Sequence, residues 1–143
     1  MPTRREARER ALSLCYEGEV RGLDADALLA ELPAPPDAYA EHVVRGVELH
    51  RDEIDAVLRK VSEHWALERM PLVDRAVLRI GCYELGWQHD LPAGVVISEA
   101  VELAKQYSTK DSGRFVNGML ARIAEDLRGQ DPEQSQPPEQ PAS

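Results

Sequence analysis

The spacing of apolar residues limits what this chain can fold into more than any other feature. Apolar residues recur three or four positions apart along most of its 143 residues, which places them on one face of an α-helix. Sustained alternation of apolar and polar residues, which is typical of strands, occurs nowhere in the sequence. The sequence therefore predicts an all-α protein, with helices over residues 3–16, 24–32, 37–64, 71–87, 95–107 and 111–127.

Prolines and glycines mark the interruptions between these helices. Three prolines within residues 33–36 end the second helix, because proline lacks a backbone donor and restricts the residue before it. Gly46 and a phase slip near residues 50–52 predict a kink or a break into two helices. Over residues 71–87 the apolar side chains cover most of the circumference, so this helix is predicted to be the most buried.

The chain after residue 128 differs in composition from the rest. It reads GQDPEQSQPPEQPAS, with four prolines and no large apolar residue, a composition typical of disorder. The sequence thus predicts one helical domain over residues 1–128 and a disordered tail over 129–143. Within the domain, the expected halves are about 1–65 and about 66–128.

Several classes of function are disfavoured by what the sequence lacks. No apolar run is long enough for a transmembrane helix, and the arginine-rich N-terminus lacks the apolar segment of a secretory signal. The patterns CxxC, HExxH, GxxxxGK(S/T) and GxSxG are absent, and the four histidines are scattered. Cys15 and Cys82 are predicted to be reduced core thiols. We therefore expect a cytoplasmic protein without membrane association, catalytic activity, bound metal or cofactor.

Net charge excludes one kind of nucleic-acid binder and leaves another open. Acidic residues outnumber basic ones by 26 to 17, for a formal net charge of −9, so the whole surface is not basic. Residues 1–16 nevertheless hold four arginines and two glutamates, a local net charge of +2. A helical projection places four residues in a strip beside the buried face: Arg4, Arg5, Arg8 and Tyr16. This strip predicts a footprint for single-stranded RNA. The alternative is an ordinary solvated helix whose arginines pair with Glu6 and Glu9.

A second candidate site lies in the run from Tyr107 to Leu120, YSTKDSGRFVNGML. Phe115, the only phenylalanine, falls beside the apolar stripe of its predicted helix rather than at its centre. It is predicted either to be a half-buried core residue or to stack on bases beside Arg114 and Lys110. Gly118 costs a helix about 1 kcal/mol relative to alanine, and it would permit the close approach of another helix or a ligand.

Three segments of the chain carry motifs that are specific in combination. They are RREARERALSLCYE near the N-terminus, LVDRAVLRIGCYEL in the middle and VVISEAVELAKQYSTKDSGRFVNGML near the end. Together they contain LR-x3-YEL, EAVELAK and FVNG, and they span about residues 4–128. In their order and spacing these segments resemble the NusB family of bacterial transcription antitermination factors.

The resemblance implies both a fold and a function. The implied fold is all-helical, with about seven helices in two packed halves. The implied protein has no catalytic activity. Members of the family bind boxA RNA of ribosomal RNA operons together with NusE, a small-subunit ribosomal protein, and the complex joins RNA polymerase to favour antitermination. Two alternatives stay open: a homodimeric interaction or scaffold protein with its RNA face masked, and a domain like those that precede ribosomal RNA cytosine methyltransferases.

The resemblance also implies roles for individual residues. The expected RNA-binding residues are Arg4, Arg5, Arg8, Phe115 and Asp111. The expected NusE-facing residues are Tyr16, Asp74 and again Asp111. Asp74→Lys is accordingly expected to abolish partner binding while leaving the helical fold intact. Arg79 and Glu84, of the LR-x3-YEL motif, are expected to orient helices as a partly buried pair.

The sequence departs from the family pattern at three positions. Glu6 interrupts the arginine run, Asp74 is one methylene shorter than the family's glutamate, and Ser98 stands where many relatives have asparagine. The first departure predicts weaker RNA binding. The acidic total further predicts that RNA affinity depends on the partner.

Overall fold

A computed structural model of this protein describes residues 2–63 and 65–129. Within these ranges the regular structure consists of seven α-helices and one 3₁₀ turn (Leu67–Arg69). The helices are α1 (Arg4–Arg21), α2 (Ala25–Ala30), α3 (Ala38–Leu49), α4 (Arg51–Val61), α5 (Leu72–Trp87), α6 (Ala93–Tyr107) and α7 (Lys110–Arg128). No strand occurs in the described ranges, and the all-α prediction is confirmed. The predicted tail, apart from Gly129, lies outside the described residues.

Side-chain caps and a glycine set several helix ends. Thr3 caps α1 reciprocally with Glu6, because each side chain accepts a hydrogen bond from the other's backbone N–H. Thr109 caps α7 in the same way with the residue three positions on. Helix α1 runs past its predicted end at residue 16, because Gly22 is the first residue to adopt the left-handed conformation, with φ 67°.

The long helix predicted over residues 37–64 is two helices. Its first part, α3, begins after Asp37, whose carboxylate accepts from two backbone N–H groups of the first turn. The two parts separate at His50, which has φ −104° and ψ 21° and serves as the end of α3 and the start of α4. The phase slip at 50–52 therefore reflects a break rather than a kink, and the break lets α4 pack on α5 and α7.

Helix α5 is the centre of the fold, as predicted from its apolar circumference. Every residue from Ala76 to Leu85 is buried, and α5 packs against α1, α3, α4, α6 and α7. The helix also carries Arg79 and Glu84 into the interior. Because a buried charge is costly unless it is paired, both residues need partners from the surrounding helices.

Gly46 lets α3 lie directly against Tyr83 of α5. A Cβ built at Gly46 would lie 2.2 Å from Cζ of the tyrosine ring. Gly46→Ala is therefore expected to lower the free energy of unfolding by about 1–3 kcal/mol, because the ring or the helix must shift. Gly118→Ala is the control, since its Cβ would meet no atom within 4 Å, and it is expected to stabilise by about 0.5–1 kcal/mol. Urea denaturation measures both, and equal effects would contradict the close-approach role of Gly46.

Candidate nucleic-acid interface

The first turn of α1 presents two exposed arginines that are held by different partners. The guanidinium of Arg4 lies 3.8 Å from the centroid of the Tyr39 ring, a cation–π contact. Arg5 forms a two-point ion pair with Glu99 of α6, with distances of 2.8 Å from Nη2 to Oε2 and 3.0 Å from Nε to Oε1. Hydrogen bonding across this pair raises the pKa of Arg5 and lowers the pKa of Glu99. Arg5 therefore pairs with Glu99 of another helix and not with Glu9 of its own, one of the two carboxylates that the solvated-helix alternative offers.

Arg8 lies inside the protein, which corrects its predicted place on the surface strip. Only 3% of the residue is exposed, and its Nε lies 2.9 and 3.1 Å from the two carboxylate oxygens of Glu84. The hydroxyl of Tyr39 donates to the same carboxylate, and Nη2 of Arg8 is buried without a hydrogen-bond partner among the described residues. A buried carboxylate on α5 therefore draws Arg8 inward. In this conformation the Arg8 guanidinium lies 5.9 Å from the centroid of the Tyr39 ring, which Arg4 also contacts, and Arg8 does not reach the surface itself.

The pair predicted between Arg79 and Glu84 does not form. The two residues are five positions apart on α5, which turns their side chains about 140° away from each other. Arg79 instead contacts Asp55 of α4 at 2.9 Å and Glu19 of α1 at 2.8 Å. The Arg51 guanidinium binds the same two carboxylates at 3.4 and 2.7 Å. The motif is thus structural, as expected, but each of its charged residues ties α5 to a different neighbour.

Tyr16 is exposed on α1 and borders a surface cavity. The cavity has a volume of about 340 Å³. Its lining residues are Glu9, Leu12, Ser13, Tyr16, Val73 and Tyr107. The hydroxyl of Tyr107 donates to Glu9 at 3.2 Å across the cavity rim. Two half-exposed tyrosines beside apolar side chains form the kind of amphipathic surface that protein interfaces favour.

Asp74 does not face this cavity, although the neighbouring Val73 lines it. Only 2% of Asp74 is exposed. Its carboxylate accepts hydrogen bonds from the hydroxyls of Ser108 at 2.6 Å and Ser112 at 2.9 Å, which belong to the α6–α7 junction and the first turn of α7. Asp74 thus anchors the start of α7 from within. Its role as a partner contact stays a prediction, and its burial corrects the expectation of a surface carboxylate.

The α7 residues implied in RNA binding lie on the accessible side of that helix. Asp111 and Arg114 are exposed and Phe115 is half-buried, which agrees with a residue beside the apolar stripe. Trp65 packs edge to face on Phe115, with 5.1 Å between ring centroids and 64° between ring planes. The sequence interpretation did not single out Trp65 as a site residue. The sequence feature that could have identified Trp65 is its position as an aromatic residue in the polar segment between α4 and the 3₁₀ turn.

The accessible residues predicted to bind RNA therefore form two separate groups. One group surrounds the N-terminus of α1, where Arg4 and Arg5 are accessible. The other consists of Phe115 and its neighbours on α7. Within the described ranges, no hydrogen bond, ion pair or ring contact joins Arg4 or Arg5 to Phe115.

The two cysteines are free thiols, as the sequence predicts. Cys82 is buried and Cys15 is half-buried, and burial raises the pKa of each thiol to about 12. Both thiols are therefore protonated near neutral pH and weak as nucleophiles. Among the described residues, no cluster of histidine, cysteine or carboxylate side chains is arranged to hold a metal ion. Nor does any described helix combine the length and apolarity needed to cross a bilayer.

The fold and its surface define a class of protein: an all-α protein whose N-terminal helix exposes arginines and whose last helix contributes Phe115 to an accessible aromatic pair with Trp65. The sequence matches the model of the NusB family over residues 5–125, and the chain belongs to the NusB family. The transcription antitermination protein NusB of Saccharopolyspora erythraea is 50% identical over 130 residues, which cover 87% of this chain and 88% of the relative. That of Clavibacter sepedonicus is 47% identical over 133 residues, covering 87% and 97% of the two chains.

Solved structures of the family have the same fold. A NusB structure from T. maritima superposes with a TM-score of 0.79 at 35% identity, covering 94% of this chain and 96% of its own. A NusB chain from a crystal structure of antitermination factors NusB and NusE with double-stranded RNA gives a TM-score of 0.76 at 31% identity, covering 86% and 96%. The helical architecture is therefore that of the family over nearly its whole length.

Proposed function

We propose that this protein is a transcription antitermination factor that binds boxA RNA of ribosomal RNA operons together with ribosomal protein NusE. The observation that carries the proposal is similarity over 87% of the chain to proteins named transcription antitermination protein NusB. The structural match to a NusB chain crystallised with NusE and RNA supports both partners. The proposed complex acts in the cytoplasm on RNA polymerase and needs no catalytic step from this chain.

The exposed arginines of α1 are proposed to bind RNA phosphate. Arg4 and Arg5 are accessible, whereas Arg8 is buried. RNA phosphate must compete with the Glu99 carboxylate for Arg5, and Tyr39 leaves the charge of Arg4 unneutralised. Two accessible cations in a chain of net charge −9 would give weak binding alone. We therefore propose that NusE, bound near the Tyr16 cavity, supplies part of the RNA affinity. Sedimentation with and without NusE tests the alternative in which the free chain is a homodimer with its RNA face masked.

The double variant Arg4→Ala/Arg5→Ala tests the proposed RNA contact. We expect affinity for single-stranded boxA RNA to fall about tenfold, and the slope of log K against log salt to become shallower by about 1.4, because each lost single-strand phosphate contact contributes about 0.7. A salt-titrated binding assay, with and without NusE, measures both quantities. The control is Arg21→Ala/Arg45→Ala, which removes the same number of exposed cations, each paired with carboxylates as Arg5 is. If wild type and both variants have the same affinity and salt slope, the proposed contact is wrong.

A further inference from the structure

A short segment between α4 and the 3₁₀ turn lies against the accessible side of α7. Trp65, from this segment, packs edge to face on Phe115. Two residues earlier, Glu63 accepts from Nη2 of Arg122 at 2.5 Å, and the hydroxyl of Ser62 donates to the Trp65 carbonyl. Contacts made by Ser62 and Glu63, together with the tryptophan's own ring contact, therefore hold it against α7.

The ring pair is accessible and not part of the sealed core. Trp65 is 37% exposed and Phe115 is half-buried, so both rings reach the surface. Gly118 lies one turn beyond Phe115 on α7, and a Cβ there would meet no atom within 4 Å. The surface of α7 one turn from Phe115 is therefore open.

Two arginines neighbour Phe115 along α7. Arg114 immediately precedes Phe115, is exposed, and forms no ion pair or hydrogen bond with any residue of the described ranges. Arg122 follows two turns later on the same face of α7, where it pairs with Glu63. Accessible aromatic rings beside an unpaired guanidinium are the combination with which proteins hold unpaired nucleotides, because the rings stack on the base and the cation pairs with phosphate.

We propose that Trp65 contacts RNA directly and forms with Phe115 a two-ring platform, in which one unpaired base stacks on the face of Trp65 and contacts the Phe115 ring at its side. Arg114 binds the phosphate of this nucleotide. This inference rests on the proposed RNA-binding function and adds a residue and a ligand type to it. The base must be unpaired, because a base inside a duplex already stacks on its neighbours and its faces are not available. The platform is separate from the α1 arginines, so the RNA would contact the protein at two places.

The emission of Trp65 provides a direct test, because the chain has only one other tryptophan. Trp87 stacks on His50 at 4.4 Å between ring centroids, and Trp87→Phe leaves Trp65 as the sole reporter. Titration of this variant with single-stranded boxA RNA is expected to quench its emission. The midpoint of the quenching should equal the midpoint of RNA binding measured in an independent assay. The same RNA annealed to its complement is expected to quench little. Trp65→Phe, which retains Trp87, is expected to show no RNA-dependent quenching.

Binding by Trp65 variants completes the test. Trp65→Ala is expected to weaken RNA binding roughly 5- to 150-fold, the range for loss of one stacked base, and Trp65→Phe is expected to retain most of the affinity. Leu49→Ala, at an exposed apolar residue of α3, is the control and should bind as wild type. Circular dichroism checks whether each variant is folded. The emission test uses Trp87→Phe, so it remains valid if Trp65→Ala does not fold.

The outcomes separate this inference from the proposed function. If RNA binds, Arg4→Ala/Arg5→Ala weakens it, and Trp65 emission does not change, the platform is wrong while the proposed function stands. If Trp65 emission responds to NusE but not to RNA, the ring pair is a protein contact and the platform is likewise wrong. If the wild-type chain binds no RNA with or without NusE, both proposals are wrong.

Discussion

Glu84→Ala is expected to lower the free energy of unfolding by about 3–5 kcal/mol, the usual cost of removing one partner from a buried ion pair. Glu84 is 1% exposed and holds Arg8 through both of its oxygens. Its loss leaves the Arg8 guanidinium buried and unpaired, with Nη2 already lacking a partner. The Tyr39 hydroxyl loses its acceptor as well. Urea denaturation followed by circular dichroism measures the change.

Two further variants show whether charge burial causes this loss. Arg8→Met/Glu84→Leu removes both charges and is expected to recover much of the lost stability, because an apolar pair of similar volume leaves no buried charge. Glu99→Gln breaks the exposed pair with Arg5 and is expected to change stability little, since exposed ion pairs contribute little. If Glu84→Ala costs no more than Glu99→Gln, the Arg8–Glu84 pair does not hold the fold as described.

The buried state of Arg8 also changes how RNA-binding data on α1 must be interpreted. Arg8→Ala is expected to weaken RNA binding for two indirect reasons. It lowers the fraction of folded protein, and it disturbs Tyr39, whose ring contacts the RNA-binding Arg4. Arg4→Ala removes an accessible cation from a fold that stays intact. The two variants are therefore expected to differ in unfolding temperature even where their RNA affinities are equal. Both quantities must be measured for each variant.

Periodicity predicted the helices well because most of them bury one face, while α5 is buried over nearly its whole circumference. The stripes over 71–87 and 95–107 correspond closely to α5 and α6, and the phase slip at 50–52 marked the break at His50. The end of α1 was missed because two glycines, Gly18 and Gly22, follow the predicted end at residue 16. Gly18 lies within the helix, and only Gly22 adopts the left-handed backbone that ends it. A glycine in a sequence does not reveal which of these conformations it adopts.

The candidate site was less predictable from the sequence. A helical projection gives the direction of each side chain around the helix axis, but it does not give the residues that the side chain contacts. Arg5 and Arg8 lie on the same side of α1 in projection, yet one is exposed and the other is buried. The difference comes from Glu84, 76 positions along the chain from Arg8, whose placement depends on how α5 packs. Trp65 was passed over for the same reason, since its contact with Phe115 exists only after the segment that follows α4 packs against α7.

Asp74→Lys is expected to destabilise the protein by about 3–5 kcal/mol, because it places a cation of larger volume in a site built around a buried carboxylate. The two serine hydroxyls that donate to Asp74 lose their acceptor, and the start of α7 loses its anchor. NusE binding is therefore expected to fall together with the folded fraction. This replaces the sequence expectation that the variant loses its partner while keeping its fold. Thermal unfolding and a NusE pull-down on the same preparation measure the two effects.

Tyr16→Ala separates a partner contact from a structural one. Tyr16 is 40% exposed beside the surface cavity, so its loss is expected to weaken NusE binding with little change in unfolding temperature. Asp74→Asn keeps the volume of the side chain and one accepting oxygen, and it is expected to cost about 1–2 kcal/mol while leaving NusE binding to the folded protein unchanged. An Asp74→Lys protein with wild-type stability and no NusE binding would contradict the anchoring role, because it would mean that the carboxylate reaches the partner directly.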